Sequence, residues 1–148
     1  MLTISTFKRG ISNGLNITWE LAKVVVPVYF AVTFLKYSPV LPWLSSLMSP
    51  MMQIVGLPGE ASMPLILGYF INIYAAIGAI LPLGLDSKEI TIISAMLLMA
   101  HSLPIETAVS KKTGIRVVSI VIIRLVLSLL VGILFAVLLH TGSYEKLF

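Results

Sequence analysis

Residues 100–108 read Ala-His-Ser-Leu-Pro-Ile-Glu-Thr-Ala and place a histidine, a proline and a carboxylate between two apolar segments. The apolar segment before them, residues 90–102, is only about 20 Å long as a helix, short of the ~30 Å hydrocarbon core of a bilayer. A short segment follows and ends at Gly114, a residue type that terminates helices. The stretch therefore predicts a break in a membrane helix, with residues 100–108 at or near the tip of a re-entrant hairpin.

The composition is that of a membrane protein. Of 148 residues, 58% are hydrophobic and 11% are charged, whereas soluble proteins carry roughly 25% charged residues. The net charge of +4 comes without a basic run interleaved with aromatic residues, so membrane orientation explains it better than nucleic-acid binding. The chain has no cysteine, which excludes disulfides, thiolate nucleophiles, iron–sulfur clusters and cysteine-ligated zinc.

Three segments are apolar and long enough to be membrane spans. The predicted spans are residues 21–37, 58–81 and 115–139. Small residues line the second span at helical spacing and would let another helix approach, with the Asn72 amide bonding across to it. We therefore expect an all-α integral membrane protein, with a transmembrane domain over residues 21–140 and a polar C-terminal tail over residues 141–148.

Two further segments are helical but unsuited to a full crossing. Residues 3–19 carry apolar side chains on one helical face and basic and amide side chains on the other, which is typical of an amphipathic interfacial helix. Residues 1–20 are accordingly predicted as a separate interfacial unit, and a frayed polar tail is the alternative. Residues 41–55 would form a helix of about 22 Å, and Pro50 within them favours an interfacial or re-entrant helix. The expected fold has about three full crossings plus one or two re-entrant or broken helices.

The distribution of positive charge discriminates between two topologies. If residues 90–113 cross the membrane fully, Lys88 and the basic cluster at residues 111–116 lie on opposite sides, and the positive charge is nearly balanced. If residues 90–113 dip in and return, Lys88 joins that cluster and the N-terminal basic residues on one side. The positive-inside rule favours the second arrangement, with a cytoplasmic N-terminus in a bacterial cytoplasmic membrane. The resulting odd number of crossings is expected of one half of an inverted-repeat transporter.

Two short stretches resemble each other: residues 57–61, Leu-Pro-Gly-Glu-Ala, and residues 103–108, Leu-Pro-Ile-Glu-Thr-Ala. In each stretch the glutamate, Glu60 or Glu106, is followed eight residues later by glycine and preceded by a short apolar helix. Proline and glutamate in a first turn indicate a helix start, where the helix dipole favours the carboxylate. An internal repeat and a pair of interfacial helix caps are both consistent with this pattern.

Arg124 is the charged residue that most needs an explanation. It lies about 14 Å along the last span from Ile115, close to the middle of the membrane. An unpaired arginine there costs at least ~2.5–3.5 kcal/mol, so a partner is expected. The interpretation of the pair is open between a solute site and a purely structural ion pair. The candidate partners, from this chain or a second copy, are Glu106, Glu60 and Asn72.

His101 and Glu106 flank the break at Pro104. At the tip of a re-entrant segment a helix N-terminus points partial positive charge at a ligand, Glu106 could accept hydrogen bonds, and His101 could relay a proton. The alternative for His101 is an interfacial histidine bonded to backbone. The sequence holds no zinc site, phosphate-binding glycine loop, serine-nucleophile motif or carboxylate pair, which argues against an enzyme and predicts no metal and no cofactor.

Residues 56–61, Gly-Leu-Pro-Gly-Glu-Ala, the Leu-Ile-Leu-Gly that ends at Gly68, and residues 101–106 resemble the nucleoside-recognition, or Gate, domain family. The resemblance covers roughly residues 21–139, and the family includes spore maturation proteins A and B and gate regions of ferrous-iron and concentrative nucleoside transporters. It implies hairpins and broken helices with polar residues facing a central site. By this analogy the candidate solute-binding residues are Glu60, Asn72, His101, Glu106 and Arg124. Iron-transporter relatives place cysteine in their gates, and the absence of cysteine here argues against iron.

Two functions of different classes are consistent with these features. The first is a transporter or permease subunit for a small polar solute, nucleoside-like by resemblance, whose site is completed by a second copy or a sister Gate subunit. The second is a non-transporting membrane scaffold or assembly factor, as the resemblance to spore maturation proteins implies, in which the same residues only hold helices together. The expected partners are the lipid bilayer and a further Gate subunit, and nucleic acid is not among them.

Overall fold

A computed structural model describes residues 4–112 and 116–141 of the chain. These residues form helices and turns, with no β-strand among them, which confirms the all-α prediction. Most of the predicted C-terminal tail and Gly114 lie outside the described residues. The elements are α1 (Ile4–Lys36), α2 (Val40–Ile54), a 3₁₀ turn (Gly59–Ala61), α3 (Ser62–Phe70), α4 (Ile73–Ile80), α5 (Ser87–Met99), α6 (Leu103–Lys112) and α7 (Val117–Thr141).

The first helix is longer than the sequence pattern predicts. α1 has 33 residues and is therefore about 50 Å long, well above the ~30 Å hydrocarbon core. The boundary predicted at residue 20 falls inside this helix, and a Glu20–Lys23 ion pair of 2.6 Å bridges it. The amphipathic N-terminal part is thus continuous with the apolar part, because no glycine cap or proline stop separates them and Pro27 is accommodated within the helix.

Three helical segments are long and apolar enough to cross a membrane: Ile4–Lys36, Ser87–Lys111 and Val117–Leu139. Three is the predicted number, but one of the segments differs from the prediction. α5 and α6 together form a candidate span of 25 residues without a sharp bend between them. Residues 100–108 therefore interrupt a crossing, at Ser102 with its φ of +49°, and they are not the tip of a re-entrant hairpin.

The predicted span over residues 58–81 is a pair of short helices. α3 ends at Phe70, α4 begins at Ile73, and Asn72 between them is fully extended, with φ −171° and ψ 170°. Asn72 Oδ1 accepts a hydrogen bond from Ala75 N at 2.9 Å. The amide oxygen therefore caps α4, and within residues 4–112 and 116–141 the predicted bond from Asn72 to a neighbouring helix is not seen. A helix cap divides an apolar segment that is long enough to cross.

The α3–α4 hairpin enters and leaves the molecule at the same end. α2 and the segment Gly59–Phe70 meet at 92°. At the hairpin tip, Ser102 N donates to Gly68 O at 2.9 Å, which places the tip at the break between α5 and α6. At the opposite end, Lys36 Nζ donates to Pro82 O at 2.8 Å, so α1 and α4 end side by side. The re-entrant element is therefore α3–α4.

This arrangement changes the topology derived from charge. Because the chain between Lys36 and Pro82 returns to its starting point, Lys88 lies at the same end of the molecule as Lys36. The span formed by α5 and α6 then carries the chain to the other end, where Lys111 and Arg116 join the basic N-terminal part of α1. A full crossing is thus compatible with the positive-inside rule. The full crossing conflicts with the positive-inside rule only if residues 58–81 are counted as a span.

Two buried clusters join the helices. The larger one includes Val55, Ile93 and Met96 and connects the end of α2 with α3 and α5, with α7 packed against it. The smaller one includes Val32 and Ala79 and connects α1 with α2 and α4. In contrast, only 6% of the apolar window of α1 and 11% of that of α7 are buried. Most of the surface of these two helices therefore faces lipid or another subunit.

Candidate functional site

Glu106 of α6 and Arg124 of α7 form an ion pair within the spanning region. Arg124 Nη1 contacts Glu106 Oε2, and the two side chains are 34% and 30% exposed, in that order. The pair therefore lies at the edge of the helix bundle and keeps part of its surface open. Of the three partners that the sequence offers Arg124, the structure pairs it with Glu106, which lowers the cost of holding either charge at this depth.

The local backbone fixes Glu106 in the first turn of α6. Ser102 turns the chain through the left-handed region, and its carbonyl accepts hydrogen bonds from Ile105 N at 3.0 Å and Glu106 N at 3.1 Å. A carboxylate in a first turn is favoured by the helix dipole. Since Ser102 N also bonds to Gly68 O, Glu106 lies about 6 Å by helical rise beyond the tip of the hairpin.

The other three predicted site residues are not part of this pair. Asn72 caps α4, and His101 Nδ1 lies 3.1 Å from Leu97 O, so the histidine bonds to the backbone of its own helix. Both residues nevertheless lie next to the break, because the hairpin tip meets it at Ser102. Glu60 belongs to the 3₁₀ turn at the far end of α3, whose 9 residues give about 14 Å of helical rise between that turn and the hairpin tip, and the structure does not bring Glu60 to the pair.

A hydroxyl relay behind the ion pair is a feature that the sequence interpretation does not include. Ser128 is fully buried, and its Oγ donates to Met96 O at 2.8 Å. Because that bond uses the only hydroxyl hydrogen of serine, Tyr69 OH is the donor in its 2.7 Å contact with Ser128 Oγ. The relay joins α3, α5 and α7. The sequence feature that could have predicted this relay is Ser128, a polar residue one turn beyond Arg124 in an otherwise apolar helix.

The chemistry available at the pair is hydrogen bonding to a polar molecule. A guanidinium carries five N–H donors and a carboxylate about four acceptor sites, so one mutual contact leaves capacity on both groups. Within residues 4–112 and 116–141, no three His, Asp or Glu side chains are grouped so that they could hold a metal ion. The donors and acceptors of the pair are therefore suited to hydrogen bonding, and the described part holds no metal-ligand set of three side chains.

Residues 18–123 match the family described as Gate, nucleoside recognition. The chain belongs to the Gate family. The match covers the hairpin, the α5–α6 break and the Glu106 side of the ion pair, and it ends one residue before Arg124. The Gate resemblance noted in the sequence is thus confirmed, as is the membrane-protein class. Gate domains are linked to the gate regions of nucleoside and ferrous-iron transporters, and the family is associated with transport and not with catalysis.

Two kinds of relative share this Gate region. The chain is 42% identical over 137 residues to the uncharacterised membrane protein YvoD of Bacillus subtilis, which covers 93% of this chain and 44% of YvoD. It is 31% identical over 71 residues to the Fe(2+) transporter FeoB of Salmonella typhimurium and of Escherichia coli, covering 48% of this chain and 9% of FeoB. The chain thus spans less than half the length of each relative. No solved structure matches it.

Proposed function

We propose that this Gate protein is one half of a bacterial cytoplasmic-membrane permease for a small, uncharged polar solute of the nucleoside class. The observation that supports it best is the position of the Glu106–Arg124 pair, just beyond the point where a re-entrant hairpin tip bonds to a broken span. Broken helices and hairpins that meet inside a membrane are the elements from which many transporters build their solute sites.

The pair suits a solute that offers both donors and acceptors. Ribose hydroxyls can donate to Glu106 and accept from Arg124, and base edges provide the same two kinds of group. Glu106 Oε2, which contacts Arg124, is buried, but each side chain is about one-third exposed, so a solute would reach the pair through its exposed part. Movement of the hairpin tip away from Ser102 would open the pair to the side of the membrane from which the hairpin enters, as alternating access requires.

The site requires a second half. With the bent pair of α2 and α3 counted as re-entrant, the described residues hold three candidate spans, an odd number, which is what one unit of an inverted pair contributes. The large exposed apolar surfaces of α1 and α7 offer faces for such a unit. More than half of YvoD lies outside its alignment with this chain, and that remainder is long enough to contain a second unit. A sister Gate subunit of opposite orientation would supply an inverted second half, whereas a second copy of this chain would supply a half in the same orientation.

Iron is the cargo that the FeoB similarity raises. FeoB is an Fe(2+) transporter by name, but the chain has no cysteine, and the described residues hold no cluster of metal-binding side chains. Soft thiolate ligands are thus absent, and a single carboxylate beside a cation is a poor site for Fe²⁺ because the arginine repels it. A nucleoside-class solute fits the donor set better.

Solute uptake by proteoliposomes tests the proposal. Purified protein in vesicles is offered radiolabelled uridine or adenosine, with Fe²⁺ as the competing cargo. Glu106→Gln should reduce uptake at least tenfold because the variant loses the charged acceptor. Glu20→Gln, the same change at an exposed ion pair outside the site, should leave uptake unchanged. The transport proposal is wrong if the unaltered protein, correctly inserted in vesicles, takes up no nucleoside.

A scaffold function is the second candidate, and one observation favours it. Asn72 Oδ1 and His101 Nδ1 bond to backbone groups of the adjoining helices α4 and α5, so these two atoms are already engaged. A scaffold needs Glu106 and Arg124 only to hold α6 against α7. In that case no nucleoside raises the melting temperature of the purified protein, whereas separating the pair still lowers it. The uptake assay and the melting assay together distinguish the two functions.

A further inference from the structure

Two cavities lie side by side where α2 ends against α7. The deeper one has a volume of about 370 Å³ and lies between α2, α3 and α7; the other, of about 330 Å³, lies between the end of α2, the start of α5 and the end of α7. Ile54 contributes to the wall of both. On α7 the deep cavity is lined by Leu125 and Leu129 and the other by Ile133 and Ala136, which share one helical face. The two cavities therefore follow one another along the same face of α7, with Ile54 between them, and together they are called the groove.

The deep part of the groove is apolar. Besides the two leucines of α7 it is lined by residues that include Met51, Met52 and Leu65. Its two hydroxyl groups are both engaged, since Ser62 Oγ donates to Gly59 O at 2.7 Å and Tyr69 OH donates to Ser128 Oγ. Flexible methionine side chains adapt to an irregular apolar occupant. This part suits a hydrocarbon chain.

The end of the groove carries a positive charge. Lys88 lines it together with Gln53 and Gly56. Lys88 is the second residue of the candidate span Ser87–Lys111, so it lies at the level of the lipid headgroups. The acidic residues on either side of it, Asp86 and Glu89, bond each other's backbone N–H groups at 2.8 and 2.7 Å as a capping box. Within residues 4–112 and 116–141 no carboxylate forms an ion pair with Lys88.

We infer that the groove binds one phospholipid with an anionic headgroup, its phosphate at Lys88 and Gln53 and one acyl chain along α7 toward Leu125. The groove runs from the headgroup level inward over residues 125–137, about 18 Å of helical rise. That length matches one leaflet, half of the ~30 Å hydrocarbon core. A positive end and an apolar interior also match the two parts of such a lipid. Basic pockets between membrane helices bind phosphate headgroups by the same electrostatics.

Native mass spectrometry of the full chain in detergent tests the inference, with phosphatidylglycerol as the probe. One molecule of lipid per chain should be retained. Lys88→Gln should weaken binding about fivefold, the effect of removing one cationic contact near a lipid surface. Lys111→Gln, an exposed lysine at the opposite end of the same span, is the matched control and should bind as the unaltered chain does.

The deep part has its own variant. Leu129 is 38% exposed in the groove, so Leu129→Trp fills the space without disturbing a buried contact and should abolish retention while the helical circular-dichroism spectrum stays unchanged. Equal retention of phosphatidylcholine, unaffected by Lys88→Gln, would show that the headgroup is not recognised. Competition by inorganic phosphate as strong as by the lipid would show that no acyl chain is required. Either result overturns the inference.

Discussion

At the scale of single residues, the position of each charge relative to the membrane decides its cost. Arg124 and Glu106 lie in candidate membrane spans, where a charge left alone is energetically costly. Their contact lowers the free-energy cost of placing either charge in the membrane. Serine and tyrosine at the same depth follow the same rule, since the relay from Tyr69 through Ser128 to Met96 O leaves neither hydroxyl without a partner. Two predictions belong to this scale.

Arg124→Leu should lower the free energy of unfolding by about 1–3 kcal/mol, because Glu106 is left charged and unpaired; the range is reduced for the exposure of both side chains. Adding Glu106→Gln should recover most of the loss, since the orphaned charge is then removed. Thermal unfolding in detergent measures both effects. The control pairs Arg124→Leu with Glu60→Gln, which removes a carboxylate that the structure keeps away from the arginine and should recover nothing.

Ser128→Ala should destabilise the protein by about 1–3 kcal/mol, because the change leaves the Met96 carbonyl and the Tyr69 hydroxyl without their partner in a site that water does not reach. Ser119→Ala, on the exposed surface of the same helix, is the matched control and should have little effect. Thermal unfolding provides the comparison. Equal melting temperatures for the two variants would contradict the relay.

At the scale of elements, the hairpin depends on one cap and one close helix contact. The Asn72 side chain starts α4. At Gly78 of α4, an added Cβ would lie 2.9 Å from Val25 O and 3.1 Å from Val28 Cβ on α1. The first feature gives the hairpin its tip, and the second holds its returning arm against α1. Each can be changed separately.

Asn72→Ala should cost about 1 kcal/mol through loss of the N-cap. It should also loosen the start of α4, because the bond from Ala75 N to the side-chain oxygen is lost, whereas the backbone bond from Asn72 N to Leu67 O remains. Hydrogen exchange of α4 measures the effect and should become faster than in the unaltered protein. Asn72→Asp keeps a capping oxygen and should retain slow exchange, which separates the cap from any general damage.

Gly78→Ala should destabilise the protein by about 1–3 kcal/mol, since the methyl group has no space against α1. Gly14→Ala, in α1 with nothing within 4 Å of the added Cβ, should stabilise the protein by up to about 1 kcal/mol through helix propensity. Thermal unfolding of the two variants tests the packing of α1 on α4. A stabilising Gly78→Ala would show that the two helices do not approach closely.

The sequence predicts much at this scale, and its main error has a physical cause. Composition and hydropathy are enough for the helical class and the break near Pro104, because these depend on segment length and on polar interruptions. The predicted number of spans is right, but residues 58–81 were counted in place of residues 87–111. Hydropathy does not register the reversal at Asn72, because one amide hardly changes the average of a long apolar segment. Asparagine is nevertheless a favoured N-cap, so the signal for the reversal was present.

The site was predictable only in part, for a related reason. Depth along a helix indicates that Arg124 needs a partner, and the structure pairs it with Glu106. The choice between Glu106 and Glu60 depends on which helix ends meet, which no local pattern contains. Similar local sequences surround the two glutamates, but Glu60 follows a sharp bend after α2 and Glu106 follows a nearly straight break.

At the scale of the whole molecule, the contact between Lys36 and Pro82 determines the membrane topology, because the chain between them enters and leaves at the same end of the molecule. Labelling of single cysteines with an impermeant maleimide in intact cells tests it, since the chain has no cysteine of its own. Tyr37→Cys and Lys88→Cys should react together from outside. Arg9→Cys and Lys111→Cys should react only after permeabilisation. Labelling of Lys88→Cys and Lys111→Cys from the same side would instead support re-entry of residues 90–113.

The one-sided entry of the α3–α4 hairpin has a consequence for symmetry. With most basic residues at one end of the molecule, every copy of the chain inserts the same way round. Two copies are then related by an axis along the membrane normal, and both hairpins enter from the same face. A pair with one hairpin from each face has its axis in the membrane plane and needs a sister subunit of the opposite charge bias. The orientation of the partner therefore distinguishes a homodimer from a heteromer.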